Sequence, residues 1–475
     1  MKKILIILSA VILAVSGSAA VVAVNINNMS DDVSYRLLEE YGDSSYLDGV
    51  SFVTTLAHDR VLLWENIFDP SGDTESTLSF RKTGHPYRYP RYIPGITLMW
   101  TDIEYYLDYA GEISEEIKRT AERVIKSGGK ETVRIRTADY YEYYPLFFSL
   151  VLPEFSVERT YSRGEENSVP VYCTDISEER GTAIYEALAD FIKIPVLKDE
   201  VREITVEAEY TGNENVEGCS YSSGKGETFE FSSYSVTFSD RCFFSFRNRT
   251  VGAEGREGQL TDSSLIPGGY GIYSFTYNEK DADIEGMKNV YPLPDDSTVI
   301  NLYGDEENSL LYLYLYKNGK YVFDVIDTVT MKSIAETEVF TYSDSADWVY
   351  FYTEKDFSVF VKNDFEIKVV ERSGNGSYEI VLDFVIPQEN GYNWTAIPYE
   401  ASWLYDGEKL IIAVPDEGFN AYNGKVYSCL LGAYVLNSEE MLYYGRWACS
   451  LSEKAEKYQT FCTYLPEEMV KIIKK

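Results

Sequence analysis

Histidine is almost absent from this chain, and its scarcity removes most hydrolytic and zinc chemistry. The sequence holds two histidines, His58 and His85, and neither begins a His-Glu-x-x-His zinc motif. His58 precedes Asp59 in a predicted turn, and His85 lies in a proline-rich connection. A Ser-His-Asp triad needs one of them, yet the sequence contains no Gly-x-Ser-x-Gly elbow. We interpret both histidines as surface loop residues.

Cysteine is also scarce, with six in 475 residues. No Cys-x-x-Cys pair and no Cys/His cluster occurs, so a zinc site is not expected. An oxidising compartment would permit disulfides, and Cys219 with Cys242 or Cys429 with Cys449 lie at separations that a β-meander can bring together. Free, partly buried thiols explain the same residues equally well. The six are Cys173, Cys219, Cys242, Cys429, Cys449 and Cys462.

Basic residues are few: 43 lysines and arginines stand against 77 aspartates and glutamates, which gives a net charge of −34. Such a surface repels nucleic acid and anionic lipid headgroups, so we expect no nucleic-acid partner. One interpretation of the negative charge is that it keeps the protein soluble. A more specific interpretation is that it attracts Ca²⁺ or a basic partner such as a cell-wall polymer.

Charge is missing altogether from residues 4–24, an apolar run that follows Lys2 and Lys3. At about 1.5 Å per residue, this run is long enough to cross a hydrocarbon core as a helix. Lysines before it and acids from Asp31 onward place the N-terminus in the cytoplasm and the rest of the chain outside. We expect a single-pass cell-membrane protein with an extracytoplasmic C-terminal domain.

A cleaved signal peptide is the alternative interpretation of the same run. Small residues at positions 18–20 or 21–23 suit a signal peptidase, and the mature chain would then start near Val21 or Val24 and be secreted. We favour the anchor, because the apolar run does not stop after twelve residues but continues to Val24.

Aromatic residues are abundant, with 42 tyrosines and 23 phenylalanines, and this favours β-structure. Helical patterns are confined to four places. A short helix is predicted from Ser30 to Tyr41, ending at Gly42, and another in the C-terminal tail. Residues 112–129, capped by Ser114, and residues 178–192, capped by Ser177, are the clearest helices.

Strand patterns dominate from about Val201, and three sets of four strands begin near residues 299, 348 and 402. Asn318-Gly319 is predicted to form the turn between the middle strands of the first set. A type I′ hairpin turn needs positive φ at both central positions, and asparagine and glycine adopt it readily. The predicted strands are 299–303, 310–316, 321–326 and 332–340; 348–353, 357–362, 365–371 and 378–386; and 402–405, 409–414, 426–436 and 441–447.

In its four strands per fifty residues, and in the Asp-Thr-x-Thr turn at residues 327–330, the pattern resembles β-propellers generally. It matches no named signature such as Gly-His…Trp-Asp. The resemblance implies an array of four-stranded meanders over residues 201–450; a pair of β-sandwiches is the alternative. With its N-terminal anchor and β-rich ectodomain, the chain resembles membrane-anchored exported proteins of Gram-positive bacteria.

One loop has the alternating acids of a Ca²⁺ site. Asp281, Asp283 and Glu285 precede Gly286 and reproduce the first half of a calcium loop, with oxygen ligands at alternate positions. Pro292 stands where the bidentate glutamate belongs. A plain acidic loop is the competing interpretation; no other cofactor is expected.

Asp139 and Glu142 stand out because four tyrosines, at positions 140, 141, 143 and 144, surround them. Carboxylates among aromatic rings can grip and hydrolyse a sugar when two acids lie roughly 5–10 Å apart. The same segment fits the exposed half of a strand.

The sequence therefore predicts a mainly β protein with an α+β N-terminal portion. The predicted parts are an anchor or signal (residues 1–24), a juxtamembrane segment (25–44), an α+β domain (45–200), a propeller-like domain (201–450) and a tail with a short helix (451–475). The expected function is a membrane-tethered extracytoplasmic binding or scaffold protein, bound to the membrane and to a cell-wall polymer or another exported protein. The alternative is a glycan- or cell-wall-acting hydrolase that uses an acidic pair in a propeller funnel.

Overall fold

A computed structural model describes most of the chain from Val33 to Lys475. The predicted anchor at residues 4–24 lies outside the described residues. Among the residues that are described, no helix has both the length and the apolar character that crossing a bilayer requires. The described residues are 33–58, 62–70, 74–80, 94–99, 111–144, 146–159, 171–210, 216–223, 232–251, 257–279, 281–341, 349–354, 356–363, 365–374, 376–387, 397, 401–422, 425–451, 462–464 and 470–475.

Strands make up most of this part of the chain, so the prediction of a mainly β protein is confirmed. The helices are α1 (Gly111–Ser127) and α2 (Glu178–Phe191), with 3₁₀ turns at Ser44–Leu47, Thr137–Asp139 and Ser263–Leu265. The strands of the first half are β1 (Val33–Gly42), β2 (Val50–His58), β3 (Leu62–Phe68), β4 (Thr74–Phe80), β5 (Gly95–Met99), β6 (Lys130–Arg136), β7 (Phe147–Val151), β8 (Ser156–Arg159), β9 (Val171–Thr174), β10 (Val201–Tyr210), β11 (Val216–Ser223), β12 (Ser233–Thr237), β13 (Arg241–Phe246), β14 (Arg249–Val251) and β15 (Glu257–Leu260). Those of the second half are β16 (Gly271–Asn278), β17 (Asp281–Ala282), β18 (Lys288–Pro292), β19 (Thr298–Asp305), β20 (Leu310–Lys317), β21 (Lys320–Asp327), β22 (Lys332–Thr341), β23 (Val349–Thr353), β24 (Phe357–Lys362), β25 (Glu366–Arg372), β26 (Tyr378–Val385), β27 (Ser402–Tyr405), β28 (Leu410–Tyr422), β29 (Lys425–Leu436), β30 (Met441–Leu451), β31 (Cys462–Tyr464) and β32 (Val470–Lys474).

The described strands form eight antiparallel sheets, and six of them, numbered I to VI, follow one another along the chain. The other two are the pair β14–β15 and the sheet β11-β10-β6. The three predicted four-stranded sets are confirmed as three of these sheets, each a meander of consecutive strands. The sheets are I (β31, β2, β3 and β4, with β32 also on β2), II (β5, β7, β8, β9), III (β12, β13, β16, with β17 and β18 on β16), IV (β19–β22), V (β23–β26) and VI (β27–β30, with β1 outside β30).

Two helix predictions are confirmed and two are wrong. Both α1 and α2 form, and the Ser177 hydroxyl accepts from the backbone N–H of Arg180 at the start of α2. The predicted helix ending at Gly42 is the strand β1. In the C-terminal tail, where the sequence predicts a short helix, Val470–Lys474 form the strand β32. The reason is tertiary: β1 pairs with β30 and β32 pairs with β2, and both partners lie about 400 residues away in the sequence.

The chain forms two compact units. One comprises Met1–Pro90, Val349–Arg372 and Glu379–Lys475, and the other comprises Arg91–Trp348 and Ser373–Tyr378. The first unit is built from both ends of the chain and contains sheets I, V and VI; the second contains sheets II, III and IV.

In the first unit, sheet VI is the middle layer, and its strands alternate between two cores. On β28, Leu410 and Ile412 pack with residues of sheet V, whereas Ile411 and Ala413 pack with residues of sheet I. Because successive residues of a strand point to opposite faces, a middle sheet needs apolar residues on both faces. This requirement explains why β28 begins with five consecutive apolar residues, LIIAV.

In the second unit, sheets II, III and IV share one core with α2. The helix contributes Ile184, Leu188 and Tyr185, whose ring stacks on Phe148 of β7 at 4.2 Å between centroids. Strand β5 has its exposed backbone satisfied by side chains of β12. The hydroxyl of Ser235 accepts from the N–H of Ile96 at 2.9 Å, and that of Ser233 accepts from the N–H of Leu98 at 2.8 Å.

A small appended module also belongs to the second unit. It consists of α1 packed on a three-stranded sheet of order β11-β10-β6. Its own core includes Ile117 and Val124 of α1 with Val133, Ile204 and Val206 of the sheet. The module interrupts the chain between β5 and β7 and again between α2 and β12, which is why helices appear inside a β-rich sequence.

The hairpin turn between β20 and β21 has the predicted type I′ signature. Asn318 and Gly319 have φ values of +53° and +76°. We expect Gly319→Ala to lower the free energy of unfolding by about 1 kcal/mol, because alanine resists positive φ. Chemical denaturation measures this change. Gly374→Ala is the matched control: that glycine also lies in a turn with open space around it but lacks a positive φ, and an equal loss there would contradict the explanation.

Candidate functional site

The acidic loop predicted to bind Ca²⁺ lies beside α2. Asp281 accepts a 2.7 Å hydrogen bond from Nε of Arg180, whose Nη2 also donates to the carbonyl of Ala282. Asp283 accepts from the backbone N–H of Gly286 at 3.0 Å and so forms a turn, and Glu285 is exposed. Across the described part of the chain, no three His, Cys, Asp or Glu side chains are grouped as metal ligands.

Calcium binding stays a prediction, and calorimetric titration tests it directly. The Arg180–Asp281 pair is 41% and 46% exposed, so it is worth less than about 1 kcal/mol and a cation could compete with it. If the loop binds Ca²⁺, the titration gives heat that a combined Asp283→Asn and Glu285→Gln variant loses. The absence of Ca²⁺ heat from the unaltered protein would reject the site.

The tyrosine-rich segment at residues 139–144 is engaged in structural contacts. Asp139 accepts from Nε of Arg136 at 2.8 Å, and Tyr140 donates to Glu116 of α1 at 3.0 Å. Buried Tyr144 donates to Glu200 at 2.6 Å. Through these contacts, residues 139–144 connect the module to sheets II to IV.

Tyr141 and Tyr143 add to this connection. Tyr141 packs against both the core of the module and the core of sheets II to IV. Tyr143 donates to the carbonyl oxygen of Leu265 at 3.0 Å, while Glu142 is exposed. Asp139 thus pairs with Arg136 while Glu142 faces solvent, and the arrangement does not favour a paired-acid site at Asp139 and Glu142.

Two of the described cysteines lie in surroundings that do not favour a nucleophile. His58 ends β2, and His85 lies outside the described residues. Cys242 is a free thiol that is fully buried, so it forms no disulfide with Cys219, and burial raises the pKa of its thiol. Burial also raises the pKa of the free Cys173 thiol. A raised pKa disfavours the thiolate, which is the reactive form.

A buried carboxylate, that of Asp324, lies at the centre of β21. Its side chain shares a face with Val322 and Ile326, which belong to the core between sheets III and IV. Only 2% of Asp324 is exposed. An isolated carboxylate in such a place would be strongly destabilising, so its partners decide its role.

Two hydroxyl groups satisfy this carboxylate. Tyr291, on β18 of sheet III, donates to Oδ2 at 2.7 Å, and Ser333, on β22, donates to Oδ1 at 2.6 Å. The three residues form the Asp324 cluster. Since Tyr291 and Asp324 lie on different sheets, the cluster links sheet III to sheet IV through hydrogen bonds.

Charged neighbours of the cluster come from the strands on either side of Asp324. Glu336 lies directly opposite Asp324 on β22, and Lys317 of β20 forms an ion pair with Glu336. Burial raises the pKa of Asp324; the hydroxyl donors oppose the shift, Glu336 adds to it and Lys317 opposes it. Burial and the bond to Asp324 also raise the pKa of Tyr291.

Asp324 and Glu336 are neighbouring carboxylates, as glycoside hydrolysis requires, but their surroundings favour a structural role. Asp324 is buried, and both of its oxygens accept hydrogen bonds. Glu336 is exposed and paired with Lys317. The sequence contained a signal for the cluster: residues 321–326 read YVFDVI, with one acid inside an apolar strand after a hairpin turn.

Comparisons with known proteins give the following likenesses. No model of a protein family matches the chain, and no curated protein matches it. Similar solved structures include a periplasmic gluconolactonase, PpgL, of Pseudomonas aeruginosa, which is 9% identical, covers 84% of this chain and 99% of its own, and has a TM-score of 0.30. The WD40 domain of SCAP from fission yeast is 9% identical over 88% of this chain and 91% of its own, with a TM-score of 0.27. A protein from Lactobacillus plantarum is 8% identical over 73% and 99%, with a TM-score of 0.26. Likenesses of this size carry no argument about function.

Proposed function

We propose that this chain is a membrane-tethered, extracytoplasmic binding or scaffold protein. The observation that carries the proposal is the uncharged run at residues 4–24, preceded by Lys2 and Lys3 and followed by acids. Beyond it, the chain folds into β-sheets from Val33 onward. Tethering would concentrate these sheets at the outer surface of the membrane.

A binding role, rather than catalysis, is supported by the way the candidate groups are used. Three of the acids singled out by sequence or burial bond to structural partners: Asp139 to Arg136, Asp281 to Arg180, and Asp324 to two hydroxyls. The partners proposed are a cell-wall polymer or another exported protein, and the net charge of −34 argues against nucleic acid. This charge favours a partner that carries positive groups.

The finer fold prediction, a propeller-like array, belongs to the same proposal. Its support is the succession of six antiparallel sheets along the chain, of which IV and V are meanders of four consecutive strands. Sheet VI repeats that meander in β27–β30.

Cell fractionation and intact mass measurement test the tether. The expected result is a full-length chain in the membrane fraction that resists alkaline extraction and is degraded by protease added to intact spheroplasts. A soluble mature chain that starts near Val21 or Val24 would overturn the anchor and leave a secreted protein. Protection from external protease would overturn the extracytoplasmic placement as well.

A further inference from the structure

Strand β1 is an addition to a sheet that is already complete. Sheets IV and V each consist of four consecutive strands, and β27–β30 form the same four-stranded meander. Strand β1 comes from the other end of the chain and pairs with the outer edge of β30. The edge of β30 is therefore a binding site for an extended strand, occupied here by a segment of the same chain.

Backbone pairing joins β1 to β30 along almost the whole length of β1. Nine residue pairs run antiparallel from Val33 opposite Leu451 to Gly42 opposite Tyr443, with a bulge between Leu37 and Glu39. Most side chains of β1 are exposed or half-buried, and Leu37 is 41% exposed. Main-chain hydrogen bonds of this kind bind strands with little regard to sequence, so specificity needs side-chain anchors.

Tyr35 provides that anchor. Its ring stacks on Phe68 of sheet I at 4.7 Å between centroids, and its hydroxyl lies 2.5 Å from the hydroxyl of Thr54. At the other end of the strand, Tyr443 of β30 donates to Glu40 at 3.3 Å. The edge of β30 and the neighbouring residues of sheet I thus favour a strand that has a tyrosine at the position of Tyr35.

The connection from β1 to β2 is short and has a conformationally permissive residue at each end. Gly42 and Gly49 have φ values of +81° and +76°, and the 3₁₀ turn Ser44–Leu47 lies between them. Leu47 is 2% exposed and packs into the core shared by sheets I and VI. Rotation at Gly42 would release β1 while Leu47 stays in place.

We infer that the outer edge of β30 also accepts β1 from a second copy of this chain. A strand supplied by another copy offers the same residues in the same register, so only the chain connection differs between the two arrangements, and exchange of this kind costs little. This inference does not depend on whether residues 4–24 are cleaved.

Isotope-resolved cross-linking of the full-length protein tests the exchange. A photo-reactive benzoylphenylalanine at position 36, opposite Ala448, reports which copy of β30 lies beside β1. Equal amounts of ¹⁴N and ¹⁵N protein are mixed in detergent, incubated just below the melting temperature and illuminated. The expected result is mixed-isotope cross-linked peptides, whose fraction rises with protein concentration towards about half, as random exchange of partners requires.

A second position provides the matched control. The same photo-reactive residue at position 371 lies opposite Phe357 in a hairpin of consecutive strands, which has no separate segment to exchange. Position 371 should give single-isotope products only. If position 36 also gives single-isotope products at every concentration, the inference is overturned.

The connection supplies an independent variant. Leu47→Ala removes the buried side chain that holds the connection. At a protein concentration where the mixed-isotope fraction of the unaltered protein is still low, this variant should raise that fraction several-fold. Leu37→Ala removes an exposed leucine from β1 itself and should leave the fraction unchanged. An equal response of the two variants would contradict the hinge placed between Gly42 and Gly49.

Discussion

Asp324→Ala is expected to lower the free energy of unfolding by about 2 kcal/mol at neutral pH. The substitution leaves the hydroxyls of Tyr291 and Ser333 without their shared acceptor between sheets III and IV. Removal of a poorly solvated carboxylate offsets part of this loss. Urea denaturation measures the change, and Asp383→Ala, at an exposed acid of β26, is the control. Equal losses in the two variants would contradict the buried role of Asp324.

Asp324→Asn separates the charge from the hydrogen bonds. The amide has the size of the carboxyl group and can still pair with both hydroxyls, so this variant should be more stable than Asp324→Ala at neutral pH. Because the pKa of Asp324 is raised in the folded protein, the folded state binds more protons than the unfolded state above the ordinary aspartate pKa of about 3.9.

The pH dependence of stability follows from this difference in bound protons between the folded and unfolded states. As the pH falls from 7 towards 4, the stability of the native sequence should rise relative to Asp324→Asn, and the advantage should disappear again as the pH rises. Denaturation curves of the two proteins at matched pH values measure the difference. A difference that stays constant between pH 7 and pH 4 would show that the carboxyl group carries no such shift.

Gly42→Ala is expected to cost about 3 kcal/mol and to detach the end of β1 from β30. Gly42 has a φ of +81°, which alanine resists, and an added Cβ would collide with the backbone carbonyl of Leu442. The backbone of β30 cannot move aside without disturbing Tyr443 and Tyr444, which are buried. Hydrogen exchange of the β1 amides reports the detachment, and thermal unfolding reports the loss of stability.

Gly49→Ala is the matched control for that substitution. Gly49 has a similar φ of +76° but nothing within 4 Å of an added Cβ, so its variant measures the conformational penalty alone, about 1 kcal/mol. If both glycines give the same loss, the close approach of β1 to β30 is not responsible for the larger effect.

Elements with local signals could be predicted from the sequence. The hairpin at Asn318-Gly319 and helix α2 with its Ser177 cap depend on residues close together in the chain, and both form as predicted. Strand β1 has no such signal: its two leucines and two glutamates fit a helix equally well, and its partner β30 lies more than 400 residues away. Its conformation is decided by that partner.

The candidate sites show the same contrast between local sequence signals and contacts made by distant segments. Alternating acids marked Asp281 and Asp283, but the pairing of Asp281 with Arg180 depends on where α2 lies. Tyrosines around Asp139 suggested a sugar site, whereas their actual partners, such as Glu200 for Tyr144, come from segments that only the fold brings near.

The sequence by itself determined the strand-rich class, the three four-stranded meanders and the uncharged run at residues 4–24, because composition and period-two patterning act over short stretches. Only the tertiary structure decided that β1 pairs with the outer edge of β30 and that β31 and β32 join the sheet of β2. It also decided that Asp324 is buried against Tyr291. Strand partners and burial are set by which apolar faces meet, and that is a property of the whole chain.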